Sequence, residues 1–206
     1  MKFDVLTHAA ILLGEDIYID PFNLDEEDYT KAKIVFITHP HYDHCSYDDL
    51  QKIVTKDTIL ISVREVIDDL IKKGLKVNWH VVKPNCKYDI EGIKFETIRS
   101  YNISKKFHPK NSNWLGYIIT LGETRFAIVG DSDLTPELKK IKCDVLFVPI
   151  GGTYTMDAKQ AAQLANILKP KITVPMHYNL LVGNKEDEAI FIEELDDNLG
   201  YQIHIE

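Results

Sequence analysis

Three imidazoles and a carboxylate fall within "HPHYDH", as His39, His41, Asp43 and His44. Crowding them without a shared cation would cost charge repulsion or desolvation, so the stretch reads as a metal-binding motif rather than as solvated or capping side chains. His39 and His41 stand two apart after an apolar run, where extended backbone sends alternate side chains to the same side. Pro40 biases His39 away from helical dihedrals. Both imidazoles can then face one ion at the roughly 2.0–2.1 Å typical of zinc–nitrogen bonds. Asp43 and His44 come after the chain begins to turn and suit a second ion nearby.

Two later stretches offer what such a site still needs. "FAIVGDSD" ends an apolar strand in Gly130 and Asp131, a carboxylate placed either to bridge two cations or to cap a helix beginning in "SDLTPEL". "ITVPMHYN" ends a strand in His177 behind Pro175, as a ligand or as a buried, backbone-bonded histidine.

The elements that must carry these residues follow from periodicity. "FDVLTHAAILLGEDIYIDPF" reads as two or three short strands with a turn at residues 14–16, and "AKIVFITH" as a buried strand. "SYDDLQKIV" looks helical, "TILISV" is a strand, and "REVIDDLIKKG" is a helix stopped by Gly74, which together make a crossover unit. "KYDIEGIKFETIRSYN" and "WLGYIITLGETRFAIVGDSD" turn like antiparallel hairpins. "CDVLFVPI" and "KITVPMHY" are strands, whereas "MDAKQAAQLANILK" and "KEDEAIFIEELDDNL" are helices. Two strand-rich halves, each followed by helices, predict an α/β fold of face-to-face sheets with helices outside, in a single domain over residues 1–206. The motif loops fall at strand ends, where mixed sheets expose their ligand sites.

Composition narrows the function classes. A formal net charge of −8 argues against a broad grip on nucleic acid, which needs a basic face. The N-terminal stretch lacks the pattern of a signal peptide, and no run of about 18 apolar residues occurs, so a cytoplasmic protein without a membrane segment is expected. Cys45, Cys86 and Cys143 are widely spaced and fit reduced thiols better than a disulfide framework.

"THPHYDH", "GDSD" and "PMHY" stand in the order and approximate spacing of the metallo-β-lactamase superfamily, and the first is its HxHxDH signature. The chain resembles that superfamily over essentially its whole length. More narrowly, "THAAILL", "IDPF", "GGTYTMDAKQAA" and "KPKITVPMHY" look like the small prokaryotic branch containing ascorbate-6-phosphate lactonase-like proteins, related to N-acyl-phosphatidylethanolamine phospholipase D. The resemblance implies a four-layer αβ/βα sandwich. It also implies His39 and His41 on a first metal, Asp43, His44 and His177 on a second, and Asp131 bridging them. The family usually completes the first metal with another histidine; here the aligned position carries Asn102, and an amide oxygen is a weaker donor than imidazole toward zinc. His108, six residues on and followed by Pro109, is the candidate replacement, or else a loop histidine or substrate contact.

The resemblance further implies two divalent ions, zinc first and manganese or iron as alternatives. With Asp43, Asp131 and a bridging hydroxide the centre would carry about +1, so the expected enzyme is a hydrolase using metal-bound hydroxide on a small, anionic ester, lactone or phosphoester. The alternatives are a nuclease or phosphodiesterase of the same superfamily, and a metal-binding sensor or scaffold with little turnover. The acid that protonates the leaving group is unassigned, with Asp133 and His108 as the candidates. His8 is read as outer-shell, substrate-facing or core, Asp20 as orienting a ligand histidine or making a turn, and Tyr154 as reaching the cleft. Cys45 should leave with the following helix, and His80 and His204 are structural. A small-molecule substrate is the expected partner; homo-oligomerisation stays open.

Overall fold

The computed structural model describes residues 2–25 and 29–203. His204 lies outside them. The chain divides into two compact units, Met1–Lys83 and Pro84–Glu206.

The first unit is one six-stranded sheet whose spatial order is the chain order: β1 (Phe3–Thr7), β2 (Ala10–Leu13), β3 (Ile17–Ile19), β4 (Ile34–Phe36), β5 (Ile59–Ser62) and β6 (Asn78–Val81). β1 to β3 form the expected antiparallel meander. From β3 onward the pairs are parallel; α1 (Tyr47–Ile53) carries the chain back between β4 and β5, and α2 (Arg64–Lys72) between β5 and β6. Every residue of β4 and β5 is buried, as their unbroken apolar runs require. α1 begins where Ser46 accepts a hydrogen bond from the Asp49 amide (3.3 Å), a side-chain cap at its N-terminus. Asp49 is itself buried, and its carboxylate accepts from the Asn23 and Leu24 amides (2.8 and 3.1 Å), tying the loop after β3 to this helix. His80 is exposed on β6.

The second unit is a seven-stranded sheet. β7 (Lys87–Ile90), β8 (Ile93–Arg99), β9 (Leu115–Leu121) and β10 (Thr124–Ile128) are antiparallel neighbours, and β11 (Val145–Pro149), β12 (Ile172–Met176) and β13 (Gly200–Tyr201) extend the sheet in parallel from β10. α3 (Ala158–Leu168) packs its small face, Ala158, Ala161, Ala162 and Ala165, into one buried cluster with Leu146 and Val148 of β11 and Phe191 of α4 (Lys185–Glu194). Burying a side chain such as Phe191 or Leu164 contributes about 1.5–3 kcal/mol. Asp157 and Asn184 close capping boxes at the starts of α3 and α4.

One expectation fails. "SDLTPEL" forms no α-helix: the Thr135 side chain caps the Leu138 amide (3.3 Å), but the chain makes only a 3₁₀ turn at Leu138–Lys140 before Ile141 extends it. The helix-capping reading of Asp131 falls with it.

Candidate metal centre

In the first unit the donors are arranged around one buried carboxylate. Beyond β4 the chain stays extended, held by the Ile37 amide on the Ile61 carbonyl (3.0 Å) and by the Ser62 hydroxyl on the Ile37 carbonyl (2.8 Å). His39 follows, almost fully buried, with Pro40 after it. The turn then closes as the amides of His44 and Cys45 both bond the His41 carbonyl (3.0 and 2.8 Å). His39 Nε2 and His41 Nδ1 face each other at 3.1 Å, the convergence that the two-residue step predicts.

Asp20 sets the tautomers. Its Oδ2 accepts from the Thr38 hydroxyl (2.6 Å) and from His44 Nδ1 (2.8 Å), and its Oδ1 accepts from the Thr38 amide (2.8 Å). Having given its proton to Asp20, the Thr38 oxygen is left to accept from His39 Nδ1 (2.9 Å). Both histidines therefore donate through Nδ1 and keep the Nε2 lone pair for a cation. Burial pushes the Asp20 carboxyl above its usual pKa, opposed by His44 and by the Thr38 hydrogen bonds. Asp43 Oδ2 lies 3.7 Å from His44 Nε2 and 3.5 Å from Nε2 of the buried His8.

In the second unit three stretches supply the donors. β10 runs out through Gly130, whose φ of +63° makes the left-handed turn that presents the buried Asp131. β12 runs out into His177, itself left-handed at φ 57°. His177 Nε2 lies 3.2 Å, and His108 Nε2 3.4 Å, from the same oxygen, Asp131 Oδ2. Pro109 follows His108 as Pro40 follows His39, so both histidines precede a proline that disfavours the helical region.

Asn102 and Asp133 are fully engaged elsewhere. Asn102 Nδ2 donates to the Tyr154 carbonyl (2.8 Å) and to Asp133 Oδ1 (3.3 Å), while its Oδ1 accepts the His108 amide (3.1 Å) and faces His108 Nδ1 (3.4 Å). The Asp133 carboxylate takes Lys105 Nζ (2.7 Å) and the Ile103 amide (2.8 Å) as well. A carboxylate holding that many donors anchors the loop. The Tyr154 ring meets Phe107 edge-on (centroids 4.5 Å apart). Lys105, a single cation in a lysine-rich stretch, carried no signal in the sequence and matters here only because the loop folds back onto Asp133 and the Thr155 carbonyl.

His8, Asp20 and His177 have φ of 41°, 46° and 57°, the left-handed region in which Asp and His are among the better tolerated residues after glycine. Each thereby turns the chain sharply just where its side chain is presented. Cys45 is buried and its thiol is pushed up to about 12, chiefly by that burial.

The family model described as Beta-lactamase superfamily domain matches residues 4–177. The chain belongs to that superfamily. Within it, a UPF0173 protein of Pyrococcus furiosus is 32% identical, the alignment covering 95% of this chain and 90% of the relative. A UPF0173 metal-dependent hydrolase of Natranaerobius thermophilus is 27% identical over 100% of this chain and 96% of its own. The crystal structure of a candidate metal-dependent hydrolase from Parabacteroides distasonis superposes with a TM-score of 0.82 at 30% identity, covering 97% of this chain and 90% of that one. The fold is thus the metallo-β-lactamase fold, and the chain is a superfamily enzyme of the metal-dependent hydrolase class. No helix among the described residues is long and apolar enough to cross a membrane.

Proposed function

We propose that this superfamily member hydrolyses a small, anionic ester, lactone or phosphoester in the cytoplasm, with the two units working as one domain. The donor set fits the group that the superfamily implies: imidazoles, two of them held by hydrogen bonds at Nδ1, plus few carboxylates, suit borderline divalent ions such as zinc. The residues that would hold two such ions are His39, His41, Asp43, His44, Asp131 and His177. When bound, the pair would supply an acidified water as nucleophile near pH 7 and positive charge for the developing oxyanion.

The chain's own part is orientation and charge. Asp20 holds His39, through Thr38, and His44 in one tautomer each. Asp43 and Asp131 bring only two negative charges to the set, so two divalent ions would leave it positive and favour an anionic substrate. The free thiols of Cys45, Cys86 and Cys143 support a reducing compartment.

The observation that carries this reading is the convergence of His108 and His177 Nε2 on Asp131 Oδ2, matched by the His39 and His41 nitrogens facing each other. Its test is turnover of generic lactone, thioester and phosphodiester substrates by protein loaded with Zn or Mn. Asp131→Ala should lower kcat/KM by more than the roughly 100-fold that loss of an outer partner costs. Stoichiometric metal with no turnover on any substrate would make the chain a metal-binding scaffold instead.

A further inference from the structure

The loop between β8 and β9 does something the superfamily pattern does not describe. Within it, Asn102 and His108 are joined twice: the Asn102 amide donates to the His108 carbonyl (2.7 Å), and the His108 amide donates to Asn102 Oδ1 (3.1 Å). Residues 103–107 are the loop so pinched off. Its base is fastened to the rest of the unit by Asn102 Nδ2 on the Tyr154 carbonyl, and by Lys105 and the Ile103 amide on Asp133. The Trp114 ring stands edge-on to the His108 imidazole (centroids 5.3 Å apart) and closes its far side.

We propose that Asn102 is a positioning residue and His108 the ligand: the donor that the superfamily usually places at a strand end is delivered here by a loop, and the Asn102 amide is the clasp that aims it. The inference rests on the proposed metal-dependent function and deepens it at one site. Chemistry separates the two side chains. The Asn102 oxygen already accepts the His108 amide and faces Nδ1, and the amide nitrogen has no lone pair to offer a metal, so ligation by Asn102 would break the contact that closes the loop. His108 has the reverse arrangement. With Nδ1 toward the Asn102 oxygen, Nε2 keeps its lone pair and lies on the Asp131 side. Asp133 belongs to the clasp, since its carboxylate draws in the side chains of Asn102 and Lys105 together.

Co(II) titration of the metal-free full chain tests this, because the visible absorption of bound Co(II) reports its ligands independently of turnover. His108→Ala should change the spectrum at saturation. Asn102→Ala should leave the saturated spectrum unchanged while weakening Co(II) affinity by about 10–100-fold, the usual cost of losing an outer partner. Lys105→Met should do the same more mildly. Tryptic cleavage after the exposed Lys106 should be faster in Asn102→Ala than in wild type, which reads the clasp without any metal. The proposal is overturned if Asn102→Ala alters the saturated spectrum while His108→Ala does not, or if His108→Ala leaves both spectrum and affinity at wild-type values. Wild-type protein that takes up no Co(II) would instead remove the functional reading on which the proposal stands. Melting curves of the metal-free variants identify any that fail to fold, and the double variant Asn102→His with His108→Ala is then decisive: an imidazole returned to the strand end should recover the wild-type spectrum, and a spectrum like that of His108→Ala alone would count against the relocation.

Discussion

The two units hold their donors by different means. In the first, His39, His41, Asp43 and His44 come from one short turn, and side-chain hydrogen bonds radiating from Asp20 orient two of them. In the second, Asp131, His177 and His108 come from three separate loops, placed by backbone devices: Gly130 in a left-handed turn, His177 itself left-handed, and the loop clasped between Asn102 and His108. A contiguous motif can be tuned by a single buried carboxylate, whereas dispersed donors depend on how each strand end is packed. Substitutions that remove a side-chain hydrogen bond should therefore injure the first unit and the clasped loop of the second, whereas those that add bulk to the backbone should injure the segment that carries His177.

Asp20→Ala should break the first arrangement most severely. Removing this carboxylate frees His44 Nδ1 and the Thr38 hydroxyl together, and metal affinity should fall about 10–100-fold by calorimetry with Zn. If affinity is unchanged, the tautomers of His39 and His44 are set by something other than Asp20.

Gly151→Ala probes the contrasting device. A Cβ at Gly151 would meet the His177 carbonyl and lie 2.7 Å from Val182 Cγ2, so the loop bearing His177 must move. Overpacking of this kind typically costs about 1–3 kcal/mol, readable as a lower denaturation midpoint with a parallel loss of metal affinity. A variant with wild-type stability and affinity would show that the His177 loop yields freely, and the contrast between the units would weaken.

The smallest effect should not discriminate between them. Cys45 in the first unit and Cys143 in the second are both pushed from 9.0 up to about 12, chiefly by burial. A thiol that ionises more readily when unfolded favours folding below pH 9, and that contribution is lost as pH rises from 9 toward 12. By pH 10 each thiol should cost about 1 kcal/mol of stability. Urea midpoints between pH 8 and 10 check this, and replacing either cysteine by alanine should remove a similar share of the slope.

Legibility followed the same division. The first unit's donors could be read from HxHxDH because extended backbone and Pro40 dictate where neighbouring side chains go, and the strands around them, unbroken in β4 and β5 and alternating with helices, follow from period alone. His177 and Asp131 were visible as strand-end residues, but strand ends say nothing about which loops share a neighbourhood; that required the resemblance. The helix expected in "SDLTPEL" is started by the Thr135 side chain on the Leu138 amide but ends after one 3₁₀ turn, because Ile141 is already extended (φ −70°, ψ 164°). The engagement of Asn102 was not legible, because its side-chain contacts reach from His108, six residues on, to Tyr154, 52 residues on. The buried position of Asp20 was equally hidden, since "IDPF" is also an ordinary turn.

The left-handed backbone at His8, Asp20 and His177 sets selection for stability against selection for chemistry at three positions. Glycine at any of them would relax the main chain while deleting a side chain of the proposed site, and at Asp20 it would also remove the hydrogen bonds to Thr38 and His44. A lineage that abandoned the reaction would be expected to drift there first, so these three backbone outliers offer a way to tell a working descendant from a retired one.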